Sequence, residues 1–102
     1  MSRFAVAVFA LLCVPVSAQA GTPRGKLVAL VRQDCGSCHG LTLKGGLGPA
    51  LLPQDLAGKS VEGLAAIILD GVPGTPMPPW RGELSPEDAR WIAQKLKEGF
   101  PQ

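Results

Sequence analysis

Apolar residues recur at helical spacing in three stretches of the chain, separated by segments where Gly and Pro break any period. Leu27, Leu30 and Val31 stand at i, i+3 and i+4, the spacing of one face of a helix, and predict a helix over about 23–34. Thr22 is its expected N-cap, with Pro23 at the first helical position. In the second stretch Leu64, Ala65 and Ile68 share a face that Ile67 and Leu69 broaden. This predicts a largely buried helix over 61–70, capped by Ser60 and stopped at Gly71. The third is the most legible. Ser85-Pro86-Glu87-Asp88 places a cap, a proline at N1 and acids in the first turn, and Ala89, Ile92, Ala93 and Leu96 then repeat at helical spacing. Lys95 and Lys97 suit the negative end of that helix and Gly99 closes it. No stretch alternates as a strand would. The expected fold is all-α, with three main helices and long Gly/Pro-rich loops at 40–59 and 71–84.

The first twenty residues stand outside this pattern. Arg3 precedes an apolar run over 4–16, which ends at Ala18-Gln19-Ala20. A basic start, a short apolar run and an Ala-x-Ala site describe a secretory signal peptide over 1–20, with the exported domain at 21–102. The run is about thirteen residues and a bilayer span needs roughly 20, so the mature chain is expected to have no membrane span. Cys13 lies inside the run, but Leu12 before it argues against acylation there. Loss of Arg3 leaves nine basic against eight acidic residues. No Lys/Arg cluster stands out, which excludes a nucleic-acid footprint.

The 82 remaining residues hold no Tyr, and only Trp80, Trp91 and Phe100 as large aromatics, while the whole chain has 13 Gly and 10 Pro. A domain of that size is marginal on side chains alone and usually needs a staple. Cys35-Gly36-Ser37-Cys38-His39 provides one: C-x-x-C-H is the signal for covalent haem attachment. Two thiols three positions apart near a helix end can each add to one vinyl group on a porphyrin edge, and the next residue then lies under the iron. The rival readings lack their parts. Zinc needs about four N/S ligands and the mature chain offers two Cys and one His; a thioredoxin-like dithiol needs strands; a Cys35–Cys38 disulfide closes too short a loop to stabilise much. The expected cofactor is therefore one haem c and its iron, with His39 as an axial ligand.

The second ligand follows by elimination. His39 is the sole histidine, there is no Tyr, and beyond the initiator the one methionine is Met77. It sits in Pro73-Gly74-Thr75-Pro76-Met77-Pro78-Pro79, where four prolines fix the backbone and can hold a thioether against an apolar face. Lys59 or water is the remaining alternative. His39/Met77 ligation raises the potential relative to two histidines and fills both axial positions, which points to electron transfer and away from catalysis. A haem enzyme or gas sensor would need Met77 displaceable; a thiol oxidoreductase would need Cys35 and Cys38 free. Arg81, Lys44 and Lys59 could neutralise a haem propionate, but read first as ordinary solvated charges.

Over 23–98 the chain resembles the small soluble c-type cytochromes, through Cys35-Gly36-Ser37-Cys38-His39-Gly40, Gly48-Pro49-Ala50-Leu51, Met77-Pro78 and Leu84-Ser85. The resemblance implies a small cytochrome c fold wrapped around one haem. It also implies that the carbonyl of Pro49 accepts the Nδ1 proton of His39, that the first and last helices cross beside the haem edge, and that Trp80 lies near the Met77 loop. Two positions depart from the family pattern: Leu27 stands where a small residue is usual and Lys95 where an aromatic is usual, with Trp91 one turn earlier as a substitute. The stretch 35–49, with Ile68-Leu69-Asp70-Gly71 and Met77-Pro78-Pro79-Trp80, resembles more narrowly the small cytochrome c that accompanies the haem-c/haem-d nitrite reductase of denitrifying bacteria. That implies a monomeric periplasmic carrier exchanging electrons with the nitrite reductase, or a redox partner of an enzyme in haem d maturation.

Overall fold

The computed structural model describes residues 2–13 and 22–101. The expected cleavage site after Ala20 lies outside the described residues. Residues 2–13 form no helix or strand, and their large apolar side chains are all exposed, so they add nothing to the core. Among the described residues there is no strand, and no helix is long and apolar enough to cross a membrane.

The first helix, α1, is longer than its pattern predicts. It runs as α-helix through Arg24–Leu30, as π-helix through Val31–Cys35, and again as α-helix through Gly36–His39. Leu27 and Val31 are 0% exposed and Leu30 is half-buried, which is the predicted stripe. Thr22 does not cap this helix. Its N–H and hydroxyl instead donate to the two carboxylate oxygens of Asp88, at 2.8 and 3.0 Å. A charged acceptor across the fold takes the groups that a local cap would have used.

Within the first long loop lies a single helical turn that the apolar pattern does not show, α2 (Pro53–Leu56). Proline opens it, and Asp55 accepts the Leu52 N–H at 3.0 Å. The predicted second and third helices are α3 (Val61–Asp70) and α4 (Pro86–Glu98), with Ser60 and Ser85 as the expected caps. Leu64, Ala65 and Leu69 of α3 join Ala89, Ile92, Ala93 and Leu96 of α4 in one core with Leu27 and Val31. Each fully buried Leu or Ile contributes on the order of 2 kcal/mol there. The face of α3 is narrower than predicted, since Ile68 is half-buried and Ile67 exposed.

α1 and α4 share this core, and long side chains on α1 add contacts at its rim. Arg24 lies over the Trp91 ring at 4.6 Å, Lys95 Nζ is 5.9 Å from the same ring, and Arg32 donates to the carbonyl of Pro101. Trp91 also packs edge-on against Phe100, with centroids 6.4 Å apart. Trp91 thus carries packing beside Lys95, where the family pattern would place an aromatic. Leu27, where that pattern has a small residue, is core.

Asp88 ties these parts together. Only 4% exposed, it accepts from Thr22 twice and from the Ser85 N–H, while its own N–H bonds Ser85 Oγ. Burial raises its pKa, but the bonds from Thr22 and Ser85 outweigh burial and hold the carboxyl below its usual range. A carboxyl depressed by folding stabilises fully above its unfolded pKa of about 3.9 and loses that contribution as pH falls through the folded value. Asp88→Ala is expected to cost about 2 kcal/mol near neutral pH, the upper range for a lost cap. In urea titrations the gap between wild type and Asp88→Asn should be constant above about pH 5 and shrink below about pH 4. A gap independent of pH would show that the charge of Asp88 is not what matters.

Candidate haem-attachment site

The C-x-x-C-H residues occupy the end of α1, after the π-helical segment. A π turn inserts an extra residue into the helical register, and such turns gather at functional sites. Cys35, Cys38 and His39 are each half-buried, and neither Cys is in a disulfide. Ser37 Oγ donates to the Asp34 carbonyl at 2.7 Å, a local bond within this last stretch of helix. Burial pushes the Cys35 thiol up to about 11, with the charge of Asp34 and the neighbouring Cys38 adding and a backbone N–H opposing. A redox-active dithiol needs the reverse, a thiol lowered toward neutrality.

The loop after α1 folds back over the helix end. The Gly48 N–H donates to the Cys38 carbonyl and the Gly45 N–H to the His39 carbonyl, both at 2.8 Å. Leu43 in this loop holds a left-handed φ of 61° that leucine rarely adopts. Its buried side chain, and the Leu51 N–H donating to its carbonyl at 2.9 Å, hold it there. These bonds deliver the Pro49 carbonyl to His39 Nδ1 at 2.7 Å. A carbonyl only accepts, so Nδ1 carries the proton and Nε2 of the neutral ring keeps a lone pair for a metal. Gly48 makes room for the ring: a Cβ there would stand 2.8 Å from His39 Cε1 and 2.9 Å from Nδ1.

Met77, half-buried, sits in the loop that leaves α3. That loop caps the helix, with Trp80 N–H donating to Ile68 O and Arg81 N–H to Leu69 O, each at 3.1 Å. Within it the Val72 N–H reaches the Met77 carbonyl at 3.2 Å. Half-buried Trp80 closes the loop, and Arg81 is bonded to Asp70 at 2.7 and 3.0 Å instead of being a lone solvated charge.

The donor set fits a covalently held haem. Two thiols and an imidazole with an oriented lone pair share one helix end, and a thioether stands in a separate stiff loop. Leu41, 77% exposed, borders Gly36, and Leu47, 95% exposed, adjoins the glycine under His39; Ile67 and Val72 are exposed beside the Met77 loop. Among the described residues no three of His, Cys, Asp and Glu gather as they would for a zinc site. The apolar pattern does not reveal Gly48, Gly71 or the Asp70–Arg81 pair. Gly71 registers in the sequence as a helix stop and as part of the resembling stretch 68–71, neither of which shows that a Cβ on it would strike the Met77 carbonyl at 2.7 Å.

Known proteins agree with this chemistry. The family described as cytochrome C oxidase, cbb3-type, subunit III matches residues 25–94. The chain is 58% identical over 76 residues to cytochrome c55X of Pseudomonas aeruginosa, covering 74% of this chain and 64% of that protein, so it spans just under two thirds of that relative. Among solved structures the c-type cytochrome NirC superposes with a TM-score of 0.74 at 57% identity, covering 76% of this chain and 91% of NirC. A segment of dihydro-heme d1 dehydrogenase NirN superposes with a TM-score of 0.65 at 36% identity, covering 72% of this chain and 16% of NirN.

Proposed function

We propose, from the premise that this chain belongs to the c-type cytochromes and holds a covalent haem c, that it is a periplasmic one-electron carrier serving nitrite reduction. Cys35 and Cys38 would provide the two thioether links, and His39 and Met77 would ligate the iron. Haem supplies, when bound, a one-electron iron couple. The chain's own residues set the conditions for its use. The Pro49 carbonyl keeps His39 in the tautomer that can ligate and fixes the orientation of its ring. Were Met77 to hold the iron together with His39, no ligand position would be open to a substrate, and the chain would carry electrons and not act as an enzyme. The observation that carries this reading is the His39–Pro49 bond at the end of the helix that bears both thiols.

An assembly function is the second reading, favoured by the likeness of 72% of this chain to one segment of a dihydro-heme d1 dehydrogenase. On that reading the chain exchanges electrons with an enzyme that builds haem d, and not with the reductase. Deleting the gene separates the two. Normal haem d content with slow nitrite turnover supports the shuttle, and loss of haem d supports assembly.

The absorption spectrum tests the ligation. Wild type is expected to be low-spin in both states, with a weak sulfur-to-iron band when oxidised and no carbon monoxide binding when reduced. Met77→Ala should lose the band and bind carbon monoxide readily. A Met77→Ala spectrum identical to wild type would remove Met77 from the site and reopen the case for Lys59 or water.

A further inference from the structure

The loop that carries Met77 is a ring with a narrow neck. Its residues 71–80 leave α3 at Asp70 and return at Arg81, and the neck is closed twice. The backbone closure is made by the N–H groups of Trp80 and Arg81 on the Ile68 and Leu69 carbonyls. The side-chain closure is made by Arg81, whose Nε and Nη2 both donate to Asp70 Oδ1 at 3.0 and 2.7 Å. Inside the ring, 72–77 forms a knot of its own. Thr75 N–H and hydroxyl both reach the Val72 carbonyl, at 3.1 and 2.7 Å, the Met77 N–H donates to Thr75 Oγ1 at 3.3 Å, and the Val72 N–H to the Met77 carbonyl. Pro78 and Pro79 follow with no N–H to offer. The knot carrying Met77 is therefore rigid within itself, and the return strand from Met77 to the neck has nothing to bond with until Trp80. Motion of Met77 relative to α3 is a motion of the knot as a body, resisted at the neck.

We infer that Arg81 is a positioning residue for Met77: closed on Asp70 across the neck of the 71–80 ring, it sets how often Met77 leaves the iron. The inference rests on Met77 being the iron ligand. Asp70 and Arg81 are 58% and 56% exposed, so water screens the pair and its worth to global stability is small. Its effect is read at the ring, where it adds to the backbone bonds of Trp80 and Arg81 that any opening of the neck must also break.

The test is the rate at which imidazole binds the oxidised holoprotein, which is limited by departure of Met77. Arg81→Ala is expected to raise that rate about fivefold, which corresponds to about 1 kcal/mol, the top of the range for an exposed pair. The sulfur-to-iron band should persist, and the thermal midpoint should fall by about 4 °C, the low end of the shift for 1 kcal/mol in a domain of this size. Arg81→Lys should recover part of the difference, and adding Asp70→Asn to Arg81→Ala should change little more. Arg90→Ala is the control, because Arg90 pairs with Glu62 at 3.7 Å with the same 56% exposure and lies away from the ring. An unchanged rate in Arg81→Ala, or an equal rise in Arg90→Ala, overturns the inference while the Met77 assignment stands. A wild-type protein without the sulfur-to-iron band refutes the assignment itself and the inference with it.

Discussion

Replacing both Cys35 and Cys38 with alanine is expected to leave a chain that does not hold its helices in solution. The buried apolar side chains among the described residues number thirteen, but three are alanines and Phe100 is the one aromatic. Only Leu27, Ile92 and Val31 are large and fully buried. Against this stands roughly 1.5 kcal/mol of conformational entropy per ordered residue. The loops 40–52 and 71–85 order few apolar groups in return, and Leu41 and Leu47 lie on the surface. A covalent haem adds apolar area and closes the balance, as a structural metal does in other small domains. Far-UV circular dichroism of the double variant should fall to less than about a third of the wild-type helical signal, with no cooperative melt. Single variants, which keep one link, should fall between. A double variant that melts cooperatively with full helicity would show that the polypeptide core suffices.

The helices that were legible in the sequence are those whose signals are local. In α4 the cap, the proline, the first-turn acids and the apolar repeat lie within twelve residues and agree. In α3 the Ser60 cap and Gly71 stop mark both ends. The end of α1 lies beyond its apolar stripe, which closes at Val31, so periodicity does not mark it. The helix nonetheless runs to His39, helped by the π segment and by Ser37 bonding back to Asp34. Thr22 was misread for a different reason: its partner Asp88 is 66 residues away. Four-residue α2 is too short to display any period.

The same division holds at the candidate site. Cys35, Cys38, His39 and Met77 are visible because the mature chain has so few groups able to bind iron. The Pro49 contact followed only from a family resemblance, since nothing local shows that a carbonyl ten residues away reaches His39. The pairing of Asp70 with Arg81 left no trace in the sequence, where both look like solvated charges. The glycines are the hardest case. In a chain with 13 of them, composition does not distinguish one that touches backbone from one that touches water, and only the distances to an added Cβ do so.

Those distances give the second large prediction: Gly71→Ala should detach Met77 while Gly74→Ala leaves it bound. Both glycines have positive φ, 68° and 80°, so an alanine costs about 1 kcal/mol in backbone conformation at Gly74 and on the order of 1–3 kcal/mol at Gly71, whose ψ of −172° is essentially glycine's alone. Their surroundings differ. A Cβ at Gly74 meets nothing within 4 Å. A Cβ at Gly71 would stand 2.7 Å from the Met77 carbonyl oxygen and 2.8 Å from Pro78 C and Pro79 N. Those atoms are backbone in a proline-locked segment and cannot swing aside as a side chain end can. The Met77–Pro79 strand must therefore move off α3, stretching the Val72–Met77 bond and moving the thioether with it. Gly74→Ala should retain the sulfur-to-iron band with a thermal midpoint lower by about 4–8 °C, the shift for 1 kcal/mol in a domain of this size. Gly71→Ala should lose most of the band and bind carbon monoxide when reduced. If both variants keep the band, the close approach at Gly71 does not control Met77. If both lose it, strain in the backbone and not contact with the Met77 strand is what the loop cannot tolerate.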